Sequence, residues 1–230
     1  MAILSLSKIT KTYRKGDIEV QALGGVDLEL EKGEFCAIVG PSGSGKTTLL
    51  NIIGCLDKPS SGIVSYQGKE LKIMGEKELS EYRREHVSFI FQSFNLIPVL
   101  TVSENVELPL SIEGSYSKAQ MRQKALAMLE AVGIADKADR YPRELSGGQE
   151  QRVAIARALV KEPSVVLADE PTANLDSHNA EEIIKLMKAM NERSKTTFIF
   201  STHDKMIMEE ALRVFHLHDG LIVKDERKAL

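Results

Sequence analysis

Apolar and polar positions alternate at both ends of the first thirty residues, as in Leu4-Ser-Leu-Ser-Lys-Ile9 and Val26-Asp-Leu-Glu-Leu-Glu31. That period of two predicts strands over 2–9, 18–22 and 26–31, joined by turns into an antiparallel layer. Phe35-Cys-Ala-Ile-Val39 is instead apolar throughout, the pattern of a central strand buried on both faces. A glycine-rich turn follows it, then a helix expected over about 46–56 and a short strand over 62–66.

Beyond Val87-Ser-Phe-Ile-Phe91 the period lengthens, and helices are predicted over 102–112, 118–132 and 147–160, with polar connections at 113–117 and 133–145. Strand patterns return at Ser164–Ala168 and Thr197–Ser201, with a helix expected over 178–192 between them. A hairpin about Asp219-Gly220 closes the tail from Arg213 to Lys224. The arrangement implies one α/β domain over 1–230, whose core (1–92 and 162–230) carries a mainly helical insert at about 93–161.

Composition narrows the function classes. Thirty Lys and Arg against 33 Asp and Glu leave a net charge of −3, so no basic nucleic-acid surface is expected and no nucleic-acid partner is assigned. Two cysteines, Cys36 and Cys55, are too few for a disulfide framework or a zinc cluster, which suits a reducing compartment. No run approaches the ~18 apolar residues of a membrane span, and the N-terminus lacks a signal peptide's apolar stretch. The expectation is a cytoplasmic chain that reaches a membrane only through a partner.

Gly40-Pro-Ser-Gly-Ser-Gly-Lys-Thr47 fits GxxxxGK[ST] between a strand and a helix start. Its glycines let successive amides face a polyphosphate, with the helix dipole behind them. Lys46 is expected on the β and γ phosphates and Thr47 on Mg²⁺. Val165-Val-Leu-Ala-Asp-Glu170 ends a strand in two carboxylates, of which Asp169 is the candidate for Mg²⁺ and Glu170 for the base that activates water. Leu145-Ser-Gly-Gly-Gln149 opens a helix with an N-capping serine and two glycines, a second candidate anion site.

With these stations in this order, the sequence resembles the ATP-binding subunits of ABC transporters over essentially its whole length. The resemblance implies a P-loop NTPase (RecA-like) core with an N-terminal antiparallel β layer and an inserted helical subdomain. It implies ATP and Mg²⁺ bound by Tyr13 (stacked on adenine), by Gly40, Pro41, Ser42, Gly43, Ser44, Gly45, Lys46, Thr47 and Thr48, and by Asp169. Gln92 is expected to ligate Mg²⁺ or water and to move with the insert, and His203 to contact the γ-phosphate. Ser146, Gly147, Gly148 and Gln149 would reach the nucleotide of a second copy, in a head-to-tail ATP sandwich coupled in part through Asp176. Glu150 departs from the glutamine expected beside the signature.

The implied function is ATP hydrolysis in a complex with an integral membrane transporter subunit. Gly54-Cys-Leu-Asp-Lys-Pro59 and Phe94-Asn-Leu-Ile-Pro98 look like the subgroup serving lipoprotein release and macrolide export. The alternative is a soluble ABC-type ATPase acting as a nucleotide-gated clamp. Glu170 and His203 argue against a version without hydrolysis, which would have no use for a water-activating carboxylate.

Overall fold

The computed structural model describes residues 2–16, 18–71 and 75–228. In chain order its elements are β1 (Ala2–Lys15), β2 (Ile18–Glu31), β3 (Phe35–Val39), α1 (Lys46–Ile53), β4 (Ser61–Tyr66) and β5 (Lys69–Glu70). Next come α2 (Glu76–His86), β6 (Val87–Ile90), α3 (Val102–Glu113), α4 (Lys118–Ala131) and α5 (Gly147–Leu159). The chain finishes with β7 (Val165–Asp169), α6 (Ser177–Ser194), β8 (Thr197–Thr202), α7 (Lys205–Glu210), β9 (Arg213–His218) and β10 (Leu221–Arg227).

Two sheets form. An antiparallel one runs β2-β1-β4-β5, and a six-stranded one runs β10-β9-β3-β8-β7-β6 with only β10 antiparallel. Period-two geometry explains the unbroken apolar strands. Phe35, Ala37 and Val39 face one core with Phe198 of β8 and with Val106, Leu129 and Ile155 from the helices. Cys36 and Ile38 face the other core, between the sheets, with Leu4, Leu28, Leu49 and Ile199. Helix α1 lies in that second core, burying Leu49, Leu50, Ile52 and Ile53.

Three expectations need correction. The strands foreseen over 18–22 and 26–31 are one continuous strand, because register shifts and Gly25 (φ 121°) absorb the irregularity that reads as a turn. The helix expected to run to Leu56 ends at Ile53, where Gly54 caps it and Cys55 turns left-handed (φ 55°). Helices α2 and α7 were not foreseen. The first buries only Leu79 and the second only Ile207, so neither carries an apolar stripe to read.

Candidate active site

Strands β3, β8 and β7 are neighbours and parallel, so their carboxyl ends release three loops onto one edge of the sheet, where α/β folds bind ligands. The loop after β3 is Gly40–Gly45, and α1 starts directly from it. Gly45 sits left-handed (φ 102°), and a Cβ there would lie 2.5 Å from the Ala22 carbonyl oxygen. A Cβ at Gly40 would lie 2.1 Å from the Leu217 carbonyl oxygen. The loop thus threads between β2 and β9 where no side chain fits.

Helix α1 has no side-chain N-cap, whereas Thr101, Ser117, Ser146 and Asp176 cap α3, α4, α5 and α6. Its leading amides are the ones an anion would satisfy. Lys46 Nζ lies across the loop, donating to the carbonyl oxygens of Gly40 (2.8 Å) and Pro41 (3.0 Å). The loop, Thr47, Thr48, Gln92, Asp169, Glu170, Ala173, Ser201 and His203 border one open cleft of about 770 Å³, with Val20, Gln21 and Ala22 on its far rim. Ser44 in the loop and Ser201 on the cleft floor each bury a hydroxyl with no partner inside the protein. Buried hydroxyls are nearly always paired, and for Ser201, which borders the cleft, a water or ligand oxygen suits.

Thr47 Oγ1 donates to Asp169 Oδ2 at 3.5 Å. These two hard oxygens, with the Gln92 side chain on the same cleft, fit Mg²⁺, which takes few protein ligands and completes its shell with phosphates and water. Among the described residues no group of three or more His, Cys, Asp or Glu forms a metal cluster, so a cation here would need the nucleotide as co-ligand. Glu170, one residue past β7, is left-handed (φ 45°) and its N–H donates to the Ser201 carbonyl (2.9 Å). A non-glycine residue held there is backbone strain of the kind active sites store. His203 Nδ1 donates to Glu170 Oε1 at 2.7 Å and Thr202 Oγ1 to Oε2 at 3.1 Å.

Other motif residues stand apart from the cleft. Tyr13 does not border it. Its hydroxyl donates to Asp57 Oδ2 (2.8 Å), and burial together with that carboxylate raises the phenol above its usual range. Ser146 caps α5 through the Gln149 amide (3.4 Å), and Gln149 Oε1 accepts from the Ser146 N–H (3.0 Å). Neither they nor Gly147 and Gly148 line the cleft. Asp176 caps α6 at the Asn179 amide (3.0 Å). Sequence reading overlooked Val20 on the rim and Ser201 and Thr202 at the end of β8, for none of these residue types carries a distinguishing pattern. Asn174 Nδ2, which donates to the Gln92 carbonyl (2.9 Å), and Arg157 are likewise visible only once the chain is folded.

Both thiols are buried and free. Burial pushes the Cys55 thiol up to about 11 and Cys36 further still.

A sequence profile of the ABC transporter family matches residues 23–173. An uncharacterised ABC transporter ATP-binding protein of Bacillus subtilis, YvrO, is 47% identical over 227 residues, which are 98% of this chain and 97% of that protein. The macrolide export ATP-binding/permease protein MacB of Bdellovibrio bacteriovorus is 45% identical over 98% of this chain, which spans only 34% of its length. The dimeric, post-hydrolysis structure of the cassette MJ0796 bound to ADP and Pi superposes with a TM-score of 0.90 at 44% identity, covering 99% of this chain and 100% of that one. MJ0796 comes from Methanocaldococcus jannaschii. Fold, motif order and relatives agree: the chain belongs to the ABC transporter family, as one of its ATP-binding ATPases.

Proposed function

We propose that the chain hydrolyses ATP as a head-to-tail homodimer and powers a membrane complex. One observation carries the dimer: Ser146, Gly147, Gly148 and Gln149 lie off a cleft that gathers every other phosphate-facing motif. A single copy therefore holds half of each site, and the signature of a second copy completes it. The dimeric MJ0796 structure supports the same reading.

The reaction is ATP + H₂O → ADP + phosphate. Lys46 leaves the Gly40 and Pro41 carbonyls for the β and γ phosphates, and the α1 amides hold the phosphate chain. Thr47, Asp169 and Gln92 would hold Mg²⁺, which supplies charge neutralisation on the phosphate oxygens when bound. Glu170 orients the attacking water and accepts its proton, and His203 presents Nε2 to the γ-phosphate. Tyr13 stacks on adenine, its hydroxyl fixed by Asp57.

Residues 93–161 act as the moving helical subdomain. Its edge forms a groove of about 730 Å³ with the core, where Phe89, Leu108, Pro109 and Ile112 supply apolar contact and Arg83 and Arg84 supply charge. Helices of an integral membrane subunit are the occupants this reading requires, since no helix of the described residues is long and apolar enough to cross a membrane. The MacB relatives, named for macrolide export, support export as the role. Lipoprotein release or transmembrane mechanotransmission, on the cytoplasmic face of the membrane, are the other roles that the resemblance of residues 54–59 and 94–98 implies.

Tagged Glu170→Gln protein tests this. It should keep ATP binding, lose turnover by about 100-fold or more, and run as a dimer on gel filtration with ATP. From detergent-solubilised membranes it should retain an integral membrane subunit, identified by mass spectrometry. Recovery of soluble partners alone, while a control transporter is captured, would overturn the membrane role.

A further inference from the structure

We infer that Thr202 is a positioning residue for the water-activating carboxylate, an inference that rests on Glu170 being the base. Thr202 ends β8 next to Val39 of β3 and is fully buried (0% exposed). Its hydroxyl accepts the Asp204 backbone N–H at 3.0 Å and faces Glu170 Oε2 at 3.1 Å. An amide can only donate, so it occupies a lone pair of Oγ1 and leaves the one hydroxyl proton for the carboxylate. The polarity of this contact is set by the backbone.

The second tether on Glu170 is of a different kind. His203 Nδ1 holds Oε1 at 2.7 Å, but its side chain is 78% exposed and its other nitrogen is needed on the γ-phosphate. If the imidazole swings toward substrate, Thr202 still pins the carboxylate from the buried side. Asp204, which aligns the hydroxyl, is itself held by Thr172 Oγ1 donating to Oδ2 at 2.7 Å. Thr172 lies two residues beyond Glu170, so three hydrogen bonds through Thr202, Asp204 and Thr172, closed by the backbone from 170 to 172, encircle the left-handed turn. A base set in a strained turn needs such a ring, because misplacement of an ångström costs on the order of 100-fold in rate.

The test compares Thr202→Val, which deletes the hydroxyl at similar volume, with Thr202→Ser, which keeps it. Thr202→Val should lower kcat by about tenfold or more while leaving KM for ATP and ATP-dependent dimer formation unchanged. Thr202→Ser should restore kcat. In a Glu170→Gln background the valine should cost nothing further. Thr202→Ala provides the same comparison should the valine variant not fold.

Parental kcat in Thr202→Val, with Glu170→Gln inactive, would overturn the role of Thr202 and leave Glu170 in place. A loss that appears in KM and melting temperature, or that serine fails to rescue, would make Thr202 merely structural. Full turnover by Glu170→Gln would overturn the base and its positioning together.

Discussion

At the scale of single residues, the phosphate loop shows how little room the fold leaves. Gly40 is legible as part of a motif, but its reason is a close approach that no linear pattern records: the Leu217 carbonyl oxygen 2.1 Å from where a Cβ would stand. Gly40→Ala should therefore destabilise the protein by about 1–3 kcal/mol, read by urea unfolding, and weaken ATP binding. Unchanged stability and affinity would mean that the loop and β9 separate freely. Glu170 follows the same logic. Its place after an apolar strand marks it as chemical, whereas its left-handed backbone and its bonds to Thr202 and His203 come from strands more than thirty residues away.

At the scale of elements, helix starts differ in how they are capped. Sequence alone marks Ser146 as an N-cap and a glycine-rich loop as the entry to α1, which, like α2, begins with no side-chain cap and, unlike α2, opens onto the cleft. Helix α5 has a second task. Arg157 near its C-terminal end donates to the carbonyl oxygens of Phe94 (2.7 Å) and Asn95 (2.6 Å), both in left-handed backbone just after Gln92. Burial depresses the Arg157 guanidinium, yet these carbonyls satisfy it. These two hydrogen bonds tie α5, which starts at Ser146 to Gln149, to the segment that follows Gln92. Arg157→Met should cost about 1–3 kcal/mol, expose the 92–100 segment to proteolysis and slow turnover; protection equal to the parent would sever that link. Helices α2 and α7 escaped the sequence because tertiary contact through Leu79 and Ile207, rather than amphipathic pattern, keeps them folded.

For the whole molecule, the decisive fact is separation. The cleft gathers the loop, Asp169, Glu170, Gln92 and His203, while the signature at Ser146 to Gln149 lies off it. Lys46→Ala should abolish turnover through its own phosphate loop, and Ser146→Arg should abolish it while each monomer still binds ATP. A mixture of the two inactive proteins should regain part of the ATPase activity, since a mixed dimer has one site with an intact loop and an intact signature. No recovery, with mixed dimers demonstrated, would place both motifs in one copy's site. The proposed membrane groove is also a property of the whole, formed where α2 and β6 meet α3 and α5.

What the sequence determined by itself was whatever depends on neighbours along the chain. Unbroken apolar runs set the central strands, because both faces of that sheet are covered, and the order of glycines, lysine and carboxylates specified phosphate chemistry because backbone amides and strand ends are local features. The tertiary structure alone decided what depends on partners far along the chain. It joined two expected strands into β2 through paired hydrogen bonds to β1, aimed the Thr202 hydroxyl at Glu170, and set the signature away from the cleft. Those outcomes follow from packing and pairing between segments distant in the chain, a relation that a linear pattern does not contain.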